Sequence, residues 1–278
     1  MLTTKENESA FSLLSNSEFD LFRQLIYRRA GISLSPKKNT LVATRLLKRL
    51  RHYRLTSFSD YYELVTGGSQ PSEMQMVIDL LTTNETYFFR EHAHFEFLRD
   101  TILPQFERNR HLSIWSAACS SGEEPYTLAM LLADVLGLQG RWDITATDIS
   151  SRVLAVAQRG VYPLEAAEKI PRKLLHAYCL KGTGGSDGTL LIDKRLRQKV
   201  QFRQFNLIES WSGVQTFSLI FLRNVMIYFD FDTKCKIVDR IYHHLEPGGY
   251  LFLGHSETLF KVSSRFKLVR PAVYQRID

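Results

Sequence analysis

The spacing of apolar residues changes character near residue 112. Before about residue 90 they recur every three or four positions, the period of one helix face. Phe19, Phe22 and Ile26 form such a stripe, and Gly31 is placed to stop the helix. The spacing predicts a second helix over about Asn39 to Tyr53, with Leu46, Leu50 and Tyr53 on its apolar side. Arg45, Lys48, Arg49 and His52 fall at i, i+3, i+4 and i+7 on another side. A third helix is expected from Phe58 to Val65, ended by Gly67-Gly68, and a fourth should bury Met74, Val77, Ile78 and Leu81. This part shows no strand pattern.

From about Leu112, strands and helices alternate. Apolar runs at 111–118, 142–148, 200–205, 217–224 and 250–256 read as strands. Helical patterns occupy 123–137, 150–160 and 233–245, and 266–277 reads as a closing hairpin. Such alternation is the signature of an α/β fold with a parallel sheet. Residues 162–199 break it with a short helix after Pro171 and a glycine-rich turn between Ala177–Leu180 and Thr189–Ile192. That segment is expected to be an inserted β-hairpin.

Composition narrows the class. At 278 residues the chain is one large domain or one with a smaller companion, and 44% hydrophobic with 23% charged residues suits a globular protein. The net charge of +7 is unevenly placed. From Leu21 to Ser59 there are ten basic residues and no acid, which leaves the remainder at −3. Cys119, Cys179 and Cys235 are odd in number and far apart, so neither a disulfide framework nor a paired-cysteine metal site is expected. The first residues, MLTTKENESAF, lack the basic and apolar regions of a signal peptide. No apolar run reaches about 18 residues, the best being broken by Asp134 and Arg223. A cytoplasmic protein with no membrane insertion is expected.

In an open α/β sheet the loops after the strands carry the ligand. The first is Ser116-Ala-Ala-Cys-Ser-Ser-Gly-Glu-Glu-Pro125. It has neither the three glycines of a dinucleotide fingerprint nor the Lys-Ser/Thr of a P-loop. Two glutamates open the next helix, where a phosphate would want bare N–H groups and positive charge. The second strand ends in Asp148, 26 residues after Gly122. A carboxylate there can accept from two ribose hydroxyls, and can equally cap the helix that follows. Together the loops favour a nucleoside without phosphates, S-adenosylmethionine over NAD. Leu245-Glu-Pro-Gly-Gly-Tyr-Leu251, a helix stop followed by an apolar strand, fits the same choice.

Four longer motifs then recur in order: Thr82-Thr-Asn-Glu-Thr-Tyr-Phe-Phe-Arg-Glu91, Trp115 to Tyr126, Arg223-Asn-Val-Met-Ile-Tyr-Phe229 and Gly254-His-Ser-Glu257. With them the chain resembles the bacterial chemotaxis receptor methyltransferase (CheR) family over nearly its whole length. The resemblance implies a class I, Rossmann-like S-adenosylmethionine methyltransferase domain at 112–278, with a β-hairpin subdomain inserted at about 162–199. It also implies a small all-helical N-terminal domain at 1–82 that docks on the receptor, and a cofactor-covering linker at 83–111.

The resemblance also distributes roles. Asn84, Thr86 and Arg90 match a segment folded over the cofactor, with Arg90 pairing with the methionine carboxylate, a natural bidentate match. Glu124, ahead of its neighbour Glu123, matches a cofactor contact, Asp148 the ribose clamp, and Asn206 and Leu207 the adenine site. Arg223 and Asn224 end the fourth strand and match cofactor contacts, or else form a buried pair that holds the loop. Tyr228 is either a positioning residue or a core tyrosine. Arg45, Lys48, Arg49, Arg51 and Arg54 match a docking face for carboxylate-rich receptor helices. Lys181, Gly182, Thr183 and Gly184 match members that add a receptor C-terminal peptide to the hairpin as a strand. Here Lys181 replaces a common arginine, and Thr189 to Ile192 holds no basic residue.

The implied reaction methylates glutamate side chains of chemoreceptors and releases S-adenosylhomocysteine. A glutamate has a reference pKa of about 4.3, so it is ionised at pH 7 and needs no general base. Arg90 and Tyr228 are therefore expected to position, and His255, His243 and His244 to be structural. A monomer recruited to membrane receptor arrays is expected, without metal or nucleic acid. Two other classes share the fold: a nucleic-acid methyltransferase and a non-enzymatic S-adenosylmethionine sensor. The first would want a proline-containing loop after the fourth strand, where this chain has Asn224-Val-Met-Ile-Tyr228.

Overall fold

The computed structural model describes residues 14–106 and 110–278. The leader reading, at residues 1–11, lies outside the described residues, as do 107–109 of the linker. Contacts divide the chain into a helical unit that runs to Thr83 and takes in Tyr228–Asp230, and an α/β unit of Asn84–Ile227 with Phe231–Asp278.

Among the described residues, four α-helices build the first unit: α1 (Asn16–Ala30), α2 (Asn39–Tyr53), α3 (Phe58–Thr66) and α4 (Pro71–Leu81). A reciprocal Ser15–Glu18 capping box starts α1, and Gly31, at φ 71°, ends it in the left-handed region. Glu18 also accepts from the Ser59 N–H at 3.0 Å, which ties α3 to the start of α1. Phe22, Ile26, Val42, Leu46 and Leu50 are fully buried and form the centre. The fourth helix departs from the expected pattern. Glu73 and Asp79 are buried there, whereas Met74 is only half-buried.

The reason is an arginine 24 residues away. Arg49 donates to both Glu73 oxygens, at 2.7 and 2.8 Å. Tyr61 and Tyr53 complete the set at 2.7 and 3.0 Å. Burial opposes ionisation of Glu73, but the hydrogen bonds from Arg49 and the tyrosines hold its carboxyl below the usual range. Arg45 is also engaged within the unit, donating to the carbonyls of Leu80, Leu81 and Thr82 at 2.9–3.2 Å. It covers the orphan C-terminal carbonyls of α4. The basic face expected of α2 is thus unevenly presented. Arg45 and Arg49 hold the unit together, while Lys48, Arg51 and Arg54 are exposed.

The second unit begins with a short helical run, α5 (Ala93–Phe97), a π-turn (Leu98–Ile102) and α6 (Leu103–Gln105). Then come β1 (Leu112–Ser116), α7 (Glu123–Leu136), β2 (Trp142–Asp148), α8 (Ser151–Arg159) and β3 (Val161–Pro163). After them come α9 (Arg172–Tyr178), β4 (Cys179–Lys181), β5 (Thr189–Ile192), α10 (Lys194–Arg197) and β6 (Val200–Gln204). The chain closes with β7 (Phe217–Leu222), α11 (Phe231–His244), β8 (Leu245–Leu253), β9 (Phe266–Arg270) and β10 (Val273–Arg276).

Seven strands form one sheet in the order β6-β2-β1-β7-β8-β10-β9. β1 pairs in parallel with both β2 and β7, and only β10 runs antiparallel to its neighbours. Every residue of β1 and β7 is buried, as a central strand covered on both faces requires. The strand order reverses between β1 and β7, so the topological switch point lies at their carboxyl ends. β8 starts earlier than its apolar run suggests. Its pairing with β7 slips between Phe217 and Leu219, and Pro247-Gly248-Gly249 fills the bulge. A Cβ on Gly249 would lie 2.7 Å from the Ser218 carbonyl oxygen, so no larger residue fits.

The insertion contains the expected hairpin, β4 with β5, but β3 joins it to make a three-stranded sheet in the order β3-β5-β4. β3 is three residues long and ends in proline, too short to carry a periodic signal.

Candidate functional site

The loop after β1 turns sharply into α7. Ser120 and Gly122 both have positive φ, 48° and 97°. A Cβ on Gly122 would lie 2.8 Å from the Ala157 side chain and 2.9 Å from the Tyr162 hydroxyl, which excludes any other residue. The turn exposes no cationic side chain to a phosphate. It aims the Ser120 N–H at Asp148, whose Oδ2 accepts it at 2.8 Å. Asp148 Oδ1 accepts from the Ser150 N–H at 2.9 Å. Asp148 therefore joins the loops after β1 and β2 at the switch-point end of the sheet. The cap of α8 itself is the Ser150 side chain. A carboxylate at the end of this strand is the group that can accept ribose hydroxyls. The donor set fits a nucleoside without phosphates.

A second centre sits beside it, around Arg223 at the end of β7. Its side chain is 2% exposed. Nη1 donates to Glu124 at 2.8 Å and Nη2 to Glu91 at 2.9 Å. Nη2 also donates to the Arg90 carbonyl at 2.5 Å. The other Glu124 oxygen accepts from Ser116 Oγ at 2.7 Å. Glu124 and Arg223, both expected to touch cofactor, thus face one another in a buried ion pair. Asn224 has φ 56°, and its amide donates to Glu91 at 3.1 Å. Its backbone N–H goes to Glu257, which also accepts from the Gly254 and Ile227 N–H groups at 2.6 and 3.3 Å.

The remaining expected residues are spread more widely. Asn84 and Thr86 are half-buried in an irregular segment, and the Asn84 carbonyl accepts from Ser120 Oγ at 2.9 Å. Arg90 lies 5.8 Å over the Tyr87 ring and donates to the Glu85 carbonyl at 2.6 Å. Asn206 closes a turn through Glu209 and Ile208, and Leu207 is 7% exposed beside it. Tyr228 belongs by its contacts to the helical unit, where its carbonyl accepts from the Ser33 N–H at 2.8 Å. Lys181 ends β4 and Gly182 to Gly184 follow it; β4 has β5 on one side and an open edge on the other. Glu123 accepts from Ser121 at 2.8 Å, and burial raises its carboxyl.

Sequence reasoning missed Glu91 and Glu257. Each stands at the end of a quoted motif, and that position was the one available signal. Glu91 is the most connected carboxylate of the site. Burial opposes its ionisation, but Arg223 above all, with Asn224 and the His255 N–H, holds its carboxyl down at about 2.

Beside it, His94 is 2% exposed and neither ring nitrogen has a hydrogen-bond partner. Glu91, His94 and His255 bring metal-binding donor atoms within 4.8 Å of one another. However, the carboxylate is already spent on a guanidinium that is buried with it, so a dication would have to displace Arg223. Burial first, then Arg223, pushes the His94 imidazole down to about 4 from the ordinary 6.5. The unfolded chain therefore binds the proton first as pH falls. The stability that His94 contributes is expected to be full above pH 6.5 and to fall by about 3 kcal/mol toward pH 4. His94→Phe is expected to remove that slope in urea titrations at stepped pH. An equal slope in both proteins would refute the assignment. The Glu91 contribution falls in a lower window, from about 4.5 down to about 2.

Comparison with known proteins agrees with this geometry. The description "CheR methyltransferase, SAM binding domain" matches residues 84–274, and "CheR methyltransferase, all-alpha domain" matches 17–82. Chemotaxis protein methyltransferase 2 of Pseudomonas aeruginosa is 43% identical over 262 residues, covering 94% of this chain and 93% of that protein. The chemotaxis protein methyltransferase of Escherichia coli (strain K12) is 41% identical, over 94% of this chain and 91% of that one. That of Borreliella burgdorferi is 34% identical, over 97% and 99%. With its S-adenosylmethionine-binding sheet and its all-helical unit both matched, the chain belongs to the CheR methyltransferase family.

Proposed function

We propose that this methyltransferase esterifies glutamate side chains on the cytoplasmic helices of chemoreceptors. The observation that supports this most is the pairing, in one chain, of the S-adenosylmethionine-binding domain with the all-helical domain, matched from residue 17 to residue 274. S-adenosylmethionine supplies an electrophilic methyl group on a sulfonium, which a carboxylate oxygen takes as the C–S bond breaks. Asp148 would hold the ribose, and Asn206 with Leu207 would frame the adenine. Asn84, Thr86 and Arg90 would cover the cofactor, with Arg90 on its amino-acid carboxylate. Tyr228 would orient the incoming glutamate. Because the substrate is already ionised, these residues need to align and exclude water rather than move a proton.

Docking on acidic receptor helices falls to the exposed residues at the basic face of α2, Lys48, Arg51 and Arg54. Arg45 and Arg49 contribute by holding α2 against α4. The open edge of β4, which ends at Lys181 and is continued by Gly182 to Gly184, would take a receptor C-terminal peptide as an added strand.

One assay tests these statements together. With tritiated S-adenosylmethionine and receptor cytoplasmic fragments, base-labile label on the receptor is expected. Label on nucleic acid alone, or none anywhere, would defeat the proposal. Lys48→Glu with Arg51→Glu should cut receptor labelling at least tenfold and leave S-adenosylhomocysteine affinity unchanged. Fragments lacking their C-terminal tail should be labelled more slowly if β4 recruits that tail. Equal rates would remove that part of the proposal.

A further inference from the structure

We infer that Glu91 is the positioning residue that sets Arg90 over the cofactor. Three parts of the α/β unit meet on this one carboxylate. Arg223 and Asn224, after β7, donate to it at 2.9 and 3.1 Å. The His255 N–H, after β8, lies 3.2 and 3.1 Å from its two oxygens. The third part is the segment that carries Glu91 itself, 84–92.

That segment does not hold its shape by regular structure. Phe89 and Glu91 both take positive φ, 58° and 61°, with Arg90 between them. Neither is a glycine, so the surroundings must impose this backbone. Glu91 supplies the constraint on one side of Arg90. On the other, the Phe89 N–H donates to Thr127 at 3.1 Å. Arg223 joins both levels, since one nitrogen serves the Glu91 carboxylate and the Arg90 carbonyl. Without the Glu91 charge, the buried guanidinium would be balanced by Glu124 alone. The turn that presents Arg90 would then lose its anchor. Glu91 needs no contact with cofactor to act, because it works through the backbone of its neighbour.

The inference rests on the proposed pairing of Arg90 with the cofactor's carboxylate, and a double-mutant cycle separates the two. S-adenosylhomocysteine would be titrated calorimetrically into the wild type, Glu91→Gln, Arg90→Ala and the double variant. Each single change is expected to weaken binding about tenfold, and the double about as much as Arg90→Ala alone, because residues acting as one unit do not add. Glu91→Asp, which keeps the charge but withdraws it, should lie between wild type and Glu91→Gln, and takes its place in the cycle if the Glu91→Gln protein fails to fold. For Glu91→Gln, steady-state rates should show a raised KM for S-adenosylmethionine that exceeds any fall in kcat, a split that general loss of structure would not give. Wild-type affinity in Arg90→Ala would overturn the pairing and the inference with it. A weak Arg90→Ala with an additive, about hundredfold, loss in the double variant would overturn the inference alone. So would Glu91→Gln at wild-type affinity.

Discussion

Arg223→Met is expected to destabilise the α/β unit by about 3–5 kcal/mol, the usual cost of removing one partner from a buried ion pair. Glu91 and Glu124 would be left facing one another, each with a side chain only 12% exposed. Their mutual repulsion and the lost bond to the Arg90 carbonyl act in the same direction. Urea denaturation at pH 7 reads the effect, and a loss under about 1 kcal/mol would refute it. Adding Glu91→Gln and Glu124→Gln to the same chain should restore much of the stability, since the repulsion and the unpaired charges disappear together. The gap between Arg223→Met and wild type should also narrow by pH 4, because Glu91, held down chiefly by Arg223, would take up a proton once that guanidinium is gone. A simple packing defect would show neither recovery.

Asp148→Ala should weaken S-adenosylhomocysteine binding about hundredfold or more. Two hydrogen bonds to a charged acceptor contribute about 1.5–3 kcal/mol each, and the ribose offers two hydroxyls. The same substitution frees the Ser120 and Ser150 N–H groups, so the loop that frames the site would also loosen. Asp148→Asn separates the two effects. Its amide oxygen can still accept one of those N–H groups, and a loss of only about tenfold is expected. Calorimetry on the three proteins decides the matter, and unchanged affinity in Asp148→Ala would remove Asp148 from the cofactor site.

Local pattern made much of this structure legible. The second helix runs from Asn39 to Tyr53 as its periodicity predicts, because Val42, Leu46 and Leu50 supply a clean stripe. The parallel sheet follows from alternation, and Asp148 from its place at the end of a strand. The internally paired carboxylates were not legible. Glu73, Glu91 and Glu257 look like solvated residues in a linear reading, since carboxylates are seldom buried without a partner. Their partners lie far along the chain. Arg49 is 24 residues from Glu73, and Arg223 is 132 residues from Glu91. Only the fold brings them together. The internal bonds of Arg45 and Arg49 were hidden for the same reason, because spacing shows which side of a helix a residue occupies but not what the neighbouring helix puts there.

The engagement of Arg45 and Arg49 changes how the basic segment should respond to ionic strength. A partner arriving through solvent meets the valence of the exposed side chains, not the ten charges counted along the chain. Two guanidinium groups are already neutralised, one by a buried carboxylate and one by the negative end of a helix. Screening by salt weakens contacts at the surface far more than these internal ones. The helical unit should therefore keep its fold at salt concentrations that release an acidic partner from its face, and association can be switched off without unfolding.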